Sequence, residues 1–430
     1  MHCSSHHFSI KDITKIEGHA NLDVIVEDKK VTKCEFQIKE SHRFFEDLVV
    51  GKHFSEVSLI VSRICGFCSI SHMNTAIEAC EKALNYTPSE QTLLLRELAT
   101  NGEFLKSHAL HLYLLALPDY LGRETALKFK GKEKEYLHTA LHLKKAGTDL
   151  IKLLGARTYQ AVNCRVGGFS KLPNQIQFDE LLKTLEAERK RAIDSVSLFV
   201  NYRDKLKFNR KTTYAALSSE KYPLLFGDIH FSDGTKIKSQ DFTKHIKETV
   251  VPYSTAKSTE FKGREYMVGA LSRVNLNRKL LCKESRNLIK DFKIKFPSSE
   301  IYDNNMAQAL ELVHCIDRSI EILNKFRLRK EPIANIKPKQ SEGVGATEAP
   351  RGILYHNYLM NSDGFITGAN IIVPTSQNTR NLEADLCEFI PTLLDLPKEK
   401  ANLEIEKLIR AYDPCISCAT HFLKVKWENH

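Results

Sequence analysis

The sequence predicts a mainly helical chain with smaller β elements, an α+β class built as a bundle of long helices beside an N-terminal β-hairpin region. Three observations carry that reading: apolar residues recur at helical spacing through several long runs, one N-terminal stretch alternates apolar with polar residues, and residues 205–275 mix short strand-like pieces between the helical runs.

Each element follows in turn. Residues 21–38, NLDVIVEDKKVTKCEFQI, place Leu22, Val24 and Val26, then Cys34, Phe36 and Ile38, on alternate positions around a charged turn at Asp28 to Lys30. That is the period of a hairpin. Helical spacing then takes over: Leu98, Leu105 and Leu112 recur every seven residues in a run that stops near Pro118. Phe178, Leu181, Leu182 and Leu185 continue toward Val196, Phe199 and Val200 in a long amphipathic helix, and Met306, Leu310, Val313, Ile320 and Leu323 mark another. Such stripes face a core. Residues 327–340, RLRKEPIANIKPKQ, form a basic, proline-marked connector. Neither it nor 205–275 marks a domain boundary, so 1–430 reads as a single domain.

Composition narrows the function. With 430 residues, 42% hydrophobic and 27% charged, the chain is long enough to bury a sizeable core. No run approaches the ~18 apolar residues of a membrane span. The start, MHCSSHHFSI, has neither a basic nor an apolar signal region, so the expectation is a cytoplasmic protein that is not exported by its own signal. Net charge is +10, but lysines are scattered among acids (GKEKEY, KTLEAERKR) with no interleaved aromatic stripe, which argues against nucleic-acid binding. Eleven cysteines, an odd number in a long chain, fit a reducing compartment and turn attention to metal or redox chemistry at any clustered pair.

Two such pairs stand near opposite ends of the chain. RICGFC at 63–68 holds Cys65 and Cys68 with His72 four residues on; DPCISC at 413–418 holds Cys415 and Cys418 with His421 three residues on, and Arg63 and Asp413 each stand two residues before the first cysteine. A four-cysteine structural zinc site, in a zinc-stapled interaction protein, is one reading. Against it, structural zinc usually closes pairs only ~15–20 residues apart, in chains too small for a core.

RICGFCSISH and DPCISCATH resemble the two signatures that bracket the large subunit of nickel-iron hydrogenases. KIEGH at 15–19, RFFE at 43–46, SHALHLYLLALPD at 107–119, RVGGF at 165–169, MVGALSRVN at 267–275, GVGATEAPRG at 343–352 and NIIVPTSQN at 370–378 resemble further family blocks in family order, covering nearly the full chain. The compact length and RAYDPCISCATH look most like the cytosolic, multi-subunit (group 3-like) members.

The resemblance implies the large-subunit hydrogenase fold and reversible, heterolytic cleavage of H2. It implies that Cys65 and Cys415 are terminal nickel ligands and that Cys68 and Cys418 bridge nickel to an iron carrying CN and CO. Splitting H2 needs a soft, electron-rich metal and a neighbouring base, which thiolates suit. By the same resemblance Glu17 relays the proton from Cys415, and Arg351, paired with Asp413, hangs over the metals. Thr375 and Pro350 lie around the iron's cyanides, and His72 donates to a bridging sulfur. Glu46, a carbonyl near Ile371 and His421 match a separate hard-cation site, commonly Mg.

Departures from the family pattern are also legible. Ser107 stands where many members have aspartate, Tyr159-Gln160 where His-Pro is common, and Ala270 where proline is common; Phe67 is bulkier than the usual valine or isoleucine and either narrows gas access or simply fills the core. The tail 422–430 is either a short processed extension or a retained end. Cys3, Cys34, Cys80, Cys164, Cys282, Cys315 and Cys387 show no iron-sulfur spacing and read as buried hydrophobes. Electrons therefore need an iron-sulfur small subunit, with further acceptor subunits linked to nicotinamide, deazaflavin, ferredoxin or heterodisulfide. An electron-transfer scaffold of the respiratory-complex type shares the fold but lacks the metal thiols.

Overall fold

The structure is a computed structural model and describes residues 5–420, so Cys3, His421 and the tail 422–430 lie outside the described residues. Its centre is the helix Glu90–Leu110, started by Ser89, whose side chain accepts the Thr92 N–H at 3.0 Å. The helices Ser69–Ala83, Lys134–Gly155 and Asp303–Lys325 pack around it, and Gln175–Tyr202 covers the last two. The long amphipathic helices expected from Phe178 and from Met306 are thus both present.

The central helix differs from its expected stripe. It is buried on every face from Leu98 to Ala109, including Asn101, Glu103, Lys106, Ser107 and His108, because helices surround it. Those polar groups find partners inside: Asn101 donates to Ser319 at 3.2 Å, and His108 meets Glu311 at 2.8 Å. At Gly147 the neighbouring helix touches it backbone to backbone, for a Cβ there would lie 2.4 Å from the Gly102 carbonyl. The run also continues past Pro118, through a π-helical turn at His111–Ala116 into Leu117–Tyr120. Pro118 sits in the first turn of that last piece, where its missing N–H costs little.

The N-terminal hairpin forms as Ala20–Glu27 paired with Lys30–Ile38, turning through Asp28 and Lys29 in the left-handed region at φ 49° and 63°. A third strand, Ser5–Ile10, adds to the other edge of Ala20–Glu27. Residues 205–275 are mixed as expected: Ala215–Ser218, Asp228–Phe231 and Lys236–Ile237 make one small sheet, and Ile246–Val250 pairs with Lys257–Phe261. Their apolar faces build a second, smaller core with Tyr355, which stacks on Phe242 at 4.5 Å. Residues 327–339 carry neither helix nor strand. Among the described residues no helix is long and apolar enough to cross a membrane.

A C-terminal antiparallel sheet, Ser341–Ala349, Gly352–Met360 and Ile366–Ile372, lays its first strand along the helix Ser69–Ala83. Gly345 makes that contact possible, because a Cβ there would stand 2.1 Å from the Thr75 carbonyl. The nearest atoms, Thr75 O and C and Ala79 N, are all helix backbone and cannot move aside. Gly345→Ala is expected to destabilise the chain by about 1–3 kcal/mol or more through overpacking, read as a lowered unfolding midpoint.

Candidate metal centre

Four cysteines converge in the core. Cys65 and Cys68 stand in the 62–68 loop that leads into the helix Ser69–Ala83, while Cys415 and Cys418 flank and enter the short helix Ile416–Ala419. Their sulfurs meet at 3.4 Å (Cys65 to Cys415), 3.0 Å (Cys68 to Cys418) and 2.9 Å (Cys415 to Cys418), and all four lie within 4.8 Å of one another. These separations exceed the ~2.05 Å of a disulfide. Four sulfurs with no hard oxygen donor among them suit a soft transition metal.

Local contacts explain why such remote loops register. Glu17 aligns the second loop: its carbonyl accepts the Ile416 N–H at 3.0 Å and its carboxylate accepts the Ser417 N–H at 2.9 Å, beside a bridge between Glu17 and Cys415. The Arg43 guanidinium donates both to the Ile64 carbonyl and to the Ser417 carbonyl, one residue before Cys65 and one before Cys418. Lys106 Nζ donates to the Gly66 carbonyl at 3.1 Å, and Thr375 Oγ1 accepts the Cys415 N–H at 3.0 Å.

The sulfurs share their protons unevenly. Hydrogen bonds from Cys415, Cys418 and Cys68, with the Arg351 charge nearby, hold the Cys65 thiol well below its ordinary range. Burial pushes Cys415 up, and Cys418 up to about 11. Packing four sulfurs together thus favours thiolate at one position and thiol at its neighbours until a cation balances them.

Arg351 is buried over this cluster. Its Nε donates to the Asp413 carbonyl at 2.7 Å, Nη2 to Asp413 Oδ1 at 2.8 Å and Nη1 to Ser107 Oγ at 3.3 Å. Phe67 lies under the guanidinium, 5.9 Å from its ring centre to Cζ. Gln308 occupies the other carboxylate oxygen of Asp413 at 3.0 Å. A small cavity of about 10 Å³, with Arg351, Thr375, Asn378, Tyr412, Asp413 and Pro414 in its lining, adjoins the site. Clefts of 580 and 780 Å³ lie elsewhere, against Tyr86 and Phe226 and against Lys221 and Arg318.

The remaining residues expected from sequence divide between this site and another. Pro350 precedes Arg351 in the turn, and its carbonyl accepts from Arg273 at 2.8 Å. His72 stands one turn beyond Cys68, its Nδ1 bonded to His356 at 3.1 Å, and His356 continues to Tyr358 at 2.5 Å. Glu46 and Ile371 come together apart from the sulfurs: Glu46 accepts the Ile371 N–H at 2.8 Å, with Lys257 Nζ at 3.6 Å.

Sequence reasoning missed Arg43, Glu103, Lys106 and the fully buried cluster behind Arg351. There Arg273 donates to Glu311 at 2.6 and 2.8 Å, to Glu348 at 3.0 Å and to the Ala349 carbonyl at 3.0 Å. A charge inside an otherwise apolar block, as in MVGALSRVN, is the trace such a residue leaves in sequence.

With this geometry in place, a family model for nickel-dependent hydrogenase matches residues 43–223 and 227–421. The alpha subunit of sulfhydrogenase 1 from Pyrococcus furiosus is 36% identical over 426 residues, covering 97% of this chain and 98% of its own. The F420-non-reducing hydrogenase of Methanothermobacter marburgensis has a subunit that is 28% identical over 449 residues, covering 96% and 94%. The solved structure of an NAD+-reducing NiFe-hydrogenase in its H2-reduced state matches with a TM-score of 0.85 at 24% identity, over 97% of this chain and 99% of that one. At that identity the likeness speaks to fold.

Glu103 couples this local structure to pH. Its carboxylate accepts the Ile70 N–H at 2.6 Å and the Ser71 N–H at 3.0 Å, capping the helix that starts after Cys68. Burial outweighs the nearby Lys106 charge and these bonds and pushes Glu103 from its ordinary 4.5 up to about 7. The folded chain then binds more protons than the unfolded one between those values, so stability from this group falls as pH rises from 4.5 through 7. Unfolding midpoints measured across that range should fall for the native chain relative to Glu103→Gln, by up to about 3 kcal/mol in free energy.

Proposed function

This chain belongs to the nickel-dependent hydrogenase family as a catalytic large subunit, an oxidoreductase acting on hydrogen, and from that premise we propose that Cys65, Cys68, Cys415 and Cys418 hold a nickel–iron pair. In this reading Cys65 and Cys415 would hold nickel as terminal ligands, and Cys68 and Cys418 would be shared with an iron carrying CN and CO. The observation that carries it is the meeting of four sulfurs from opposite ends of the chain beneath a buried arginine. A closed zinc cage has no use for that guanidinium, and a scaffold that only passes electrons has no use for the thiols.

When bound, the metal pair supplies a soft Lewis acid that polarises H2 toward heterolysis. The chain's own groups handle the proton and the field. Glu17, held by the Ser417 N–H and bridged through backbone to Cys415, would take a proton from the Cys415 sulfur and pass it outward. Arg351, fixed on Asp413, presents positive charge to the sulfurs and the small cavity. Phe67, lying under that guanidinium, would narrow the approach of H2 in this reading.

Thr375, which accepts the Cys415 N–H, and Pro350 would lie around the iron's cyanides, and His72, whose Nδ1 is bonded to His356, would donate to a bridging sulfur. A magnesium ion held by Glu46, the carbonyl near Ile371 and His421 is also part of the proposal, supported by the contact of Glu46 with Ile371. The relatives are named as parts of larger enzymes. For this chain we infer an iron-sulfur small subunit, with further nicotinamide-, deazaflavin-, ferredoxin- or heterodisulfide-linked acceptor subunits, in the cytoplasm, where free thiols persist.

Two measurements test the reading. Infrared spectra of the purified complex should show bands of iron-bound CN and CO, with nickel and iron in elemental analysis; zinc alone without those bands overturns the assignment. Glu17→Gln should lower hydrogen turnover by about 10²–10⁴-fold with both metals retained, as expected for loss of a positioned proton carrier. Undiminished turnover removes Glu17 from the proton path.

A further inference from the structure

Outside the metal centre, one pair of thiols among the described residues meets across two elements that sequence places far apart. Cys34 lies on the strand Lys30–Ile38 and Cys387 on the helix Pro374–Phe389. The helix is anchored on the strand by Glu383, whose carboxylate accepts the Phe36 N–H at 2.9 Å and the Tyr253 hydroxyl at 3.0 Å. From that anchor Cys387 is one helical turn along, roughly 6 Å, and Cys34 is two strand residues back, roughly 6.6 Å. The two steps are of equal length, the helix packs along this strand with Phe36 beside Thr375, Asn378, Thr379 and Leu382, and Cys34 and Cys387 share a side-chain hydrogen bond across the contact. Both are half-buried, unlike the sealed Cys80, Cys164 and Cys315.

We propose that Cys34 and Cys387 form a reversible disulfide site, a dithiol modified by low-molecular-weight disulfides, that staples the N-terminal sheet to the helix Pro374–Phe389. The two sulfurs have unequal roles. Donation from Cys34 draws Cys387 below its ordinary thiol range despite its burial and the carboxylates of Glu383 and Glu388, with Arg210 helping; the same bond, together with burial, pushes Cys34 up. Cys387 is therefore the attacking thiolate and Cys34 the resolving thiol.

Cys387 S⁻ attacks one sulfur of an oxidised disulfide RSSR, forming a mixed disulfide and releasing RS⁻. Cys34 then loses its proton and attacks Cys387 Sγ, expelling the second RS⁻. Two protein thiols are oxidised by two electrons, RSSR is reduced, and the two protons end on two RSH. The cross-link bears on the site because this same helix begins with Pro374 and Thr375, and Thr375 receives the Cys415 N–H.

The test uses the metal-loaded complex as isolated, incubated with oxidised glutathione and mapped by mass spectrometry without reduction. The expected product is a Cys34–Cys387 cross-linked peptide that has lost two hydrogens and is restored by dithiothreitol. Cys34→Ser should instead trap a stable glutathione adduct on Cys387, because the resolving thiol is gone. If native protein keeps both thiols open to alkylation, or accumulates glutathione on either without a cross-link, the proposal fails.

Discussion

One guanidinium ties the two sulfur loops to each other. Arg43 Nη2 donates to the carbonyl before Cys65 and to the carbonyl before Cys418, so the two halves of the centre share a single guanidinium nitrogen. Each charge-assisted bond of this kind contributes about 1.5–3 kcal/mol, enough to hold the loops in register against their own flexibility. Glu17 repeats the device with opposite polarity, accepting two N–H groups from the second loop. A metal that meets ligands already in place does not have to gather them from mobile chain, which is the advantage of building the site from the whole fold.

Behind the site, a second constraint fixes the cation. Arg273 is fully buried, and its donors are taken by Glu311, Glu348 and the carbonyls of Ala349 and Pro350. Those carbonyls lead directly into Arg351. Burial penalises the Glu311 charge, yet Arg273 and His108 hold its carboxyl below the usual range; burial alone dominates at Glu348 and pushes it up to about 7. Removing one member of such a cluster strands the others without water, which costs far more than the cluster contributes when whole. The turn before Arg351 is therefore fixed through the Ala349 and Pro350 carbonyls.

The helices with a clear apolar stripe, Gln175–Tyr202 and Asp303–Lys325, were legible in sequence because one face meets core and the other water. Glu90–Leu110 was legible only as a helix: with core on every side its polar residues follow partners rather than solvent, and no period marks them. Ser5–Ile10 joins an edge already set by the hairpin, and its short alternation carries little weight alone. The four cysteines, Glu17, Arg351 and Asp413 could be located through motif resemblance. Arg43, Arg273 and Glu103 act through backbone carbonyls, amides and other buried charges, contacts that depend on tertiary distance and leave only a lone charge in the string. Cys34 and Cys387 looked scattered for the same reason, since the helix–strand register that pairs them exists only in the fold.

Ser107 sharpens the role of Asp413. Where an aspartate would give Arg351 a second carboxylate, the serine hydroxyl accepts a single longer bond at 3.3 Å, so Asp413 is the anion that balances the guanidinium. It also takes Nε through its own carbonyl, using side chain and backbone on the same cation. Asp413 adopts φ 52°, a left-handed conformation that aspartate tolerates better than most residues, and this turn carries the chain from the helix Lys398–Ala411 toward Pro414 and Cys415. Sulfur and cation are thus joined through one left-handed residue. Any shift of the loop that moves the Cys415 sulfur also moves the charge above it, so the field at the sulfurs and the arrangement of the sulfurs are set together.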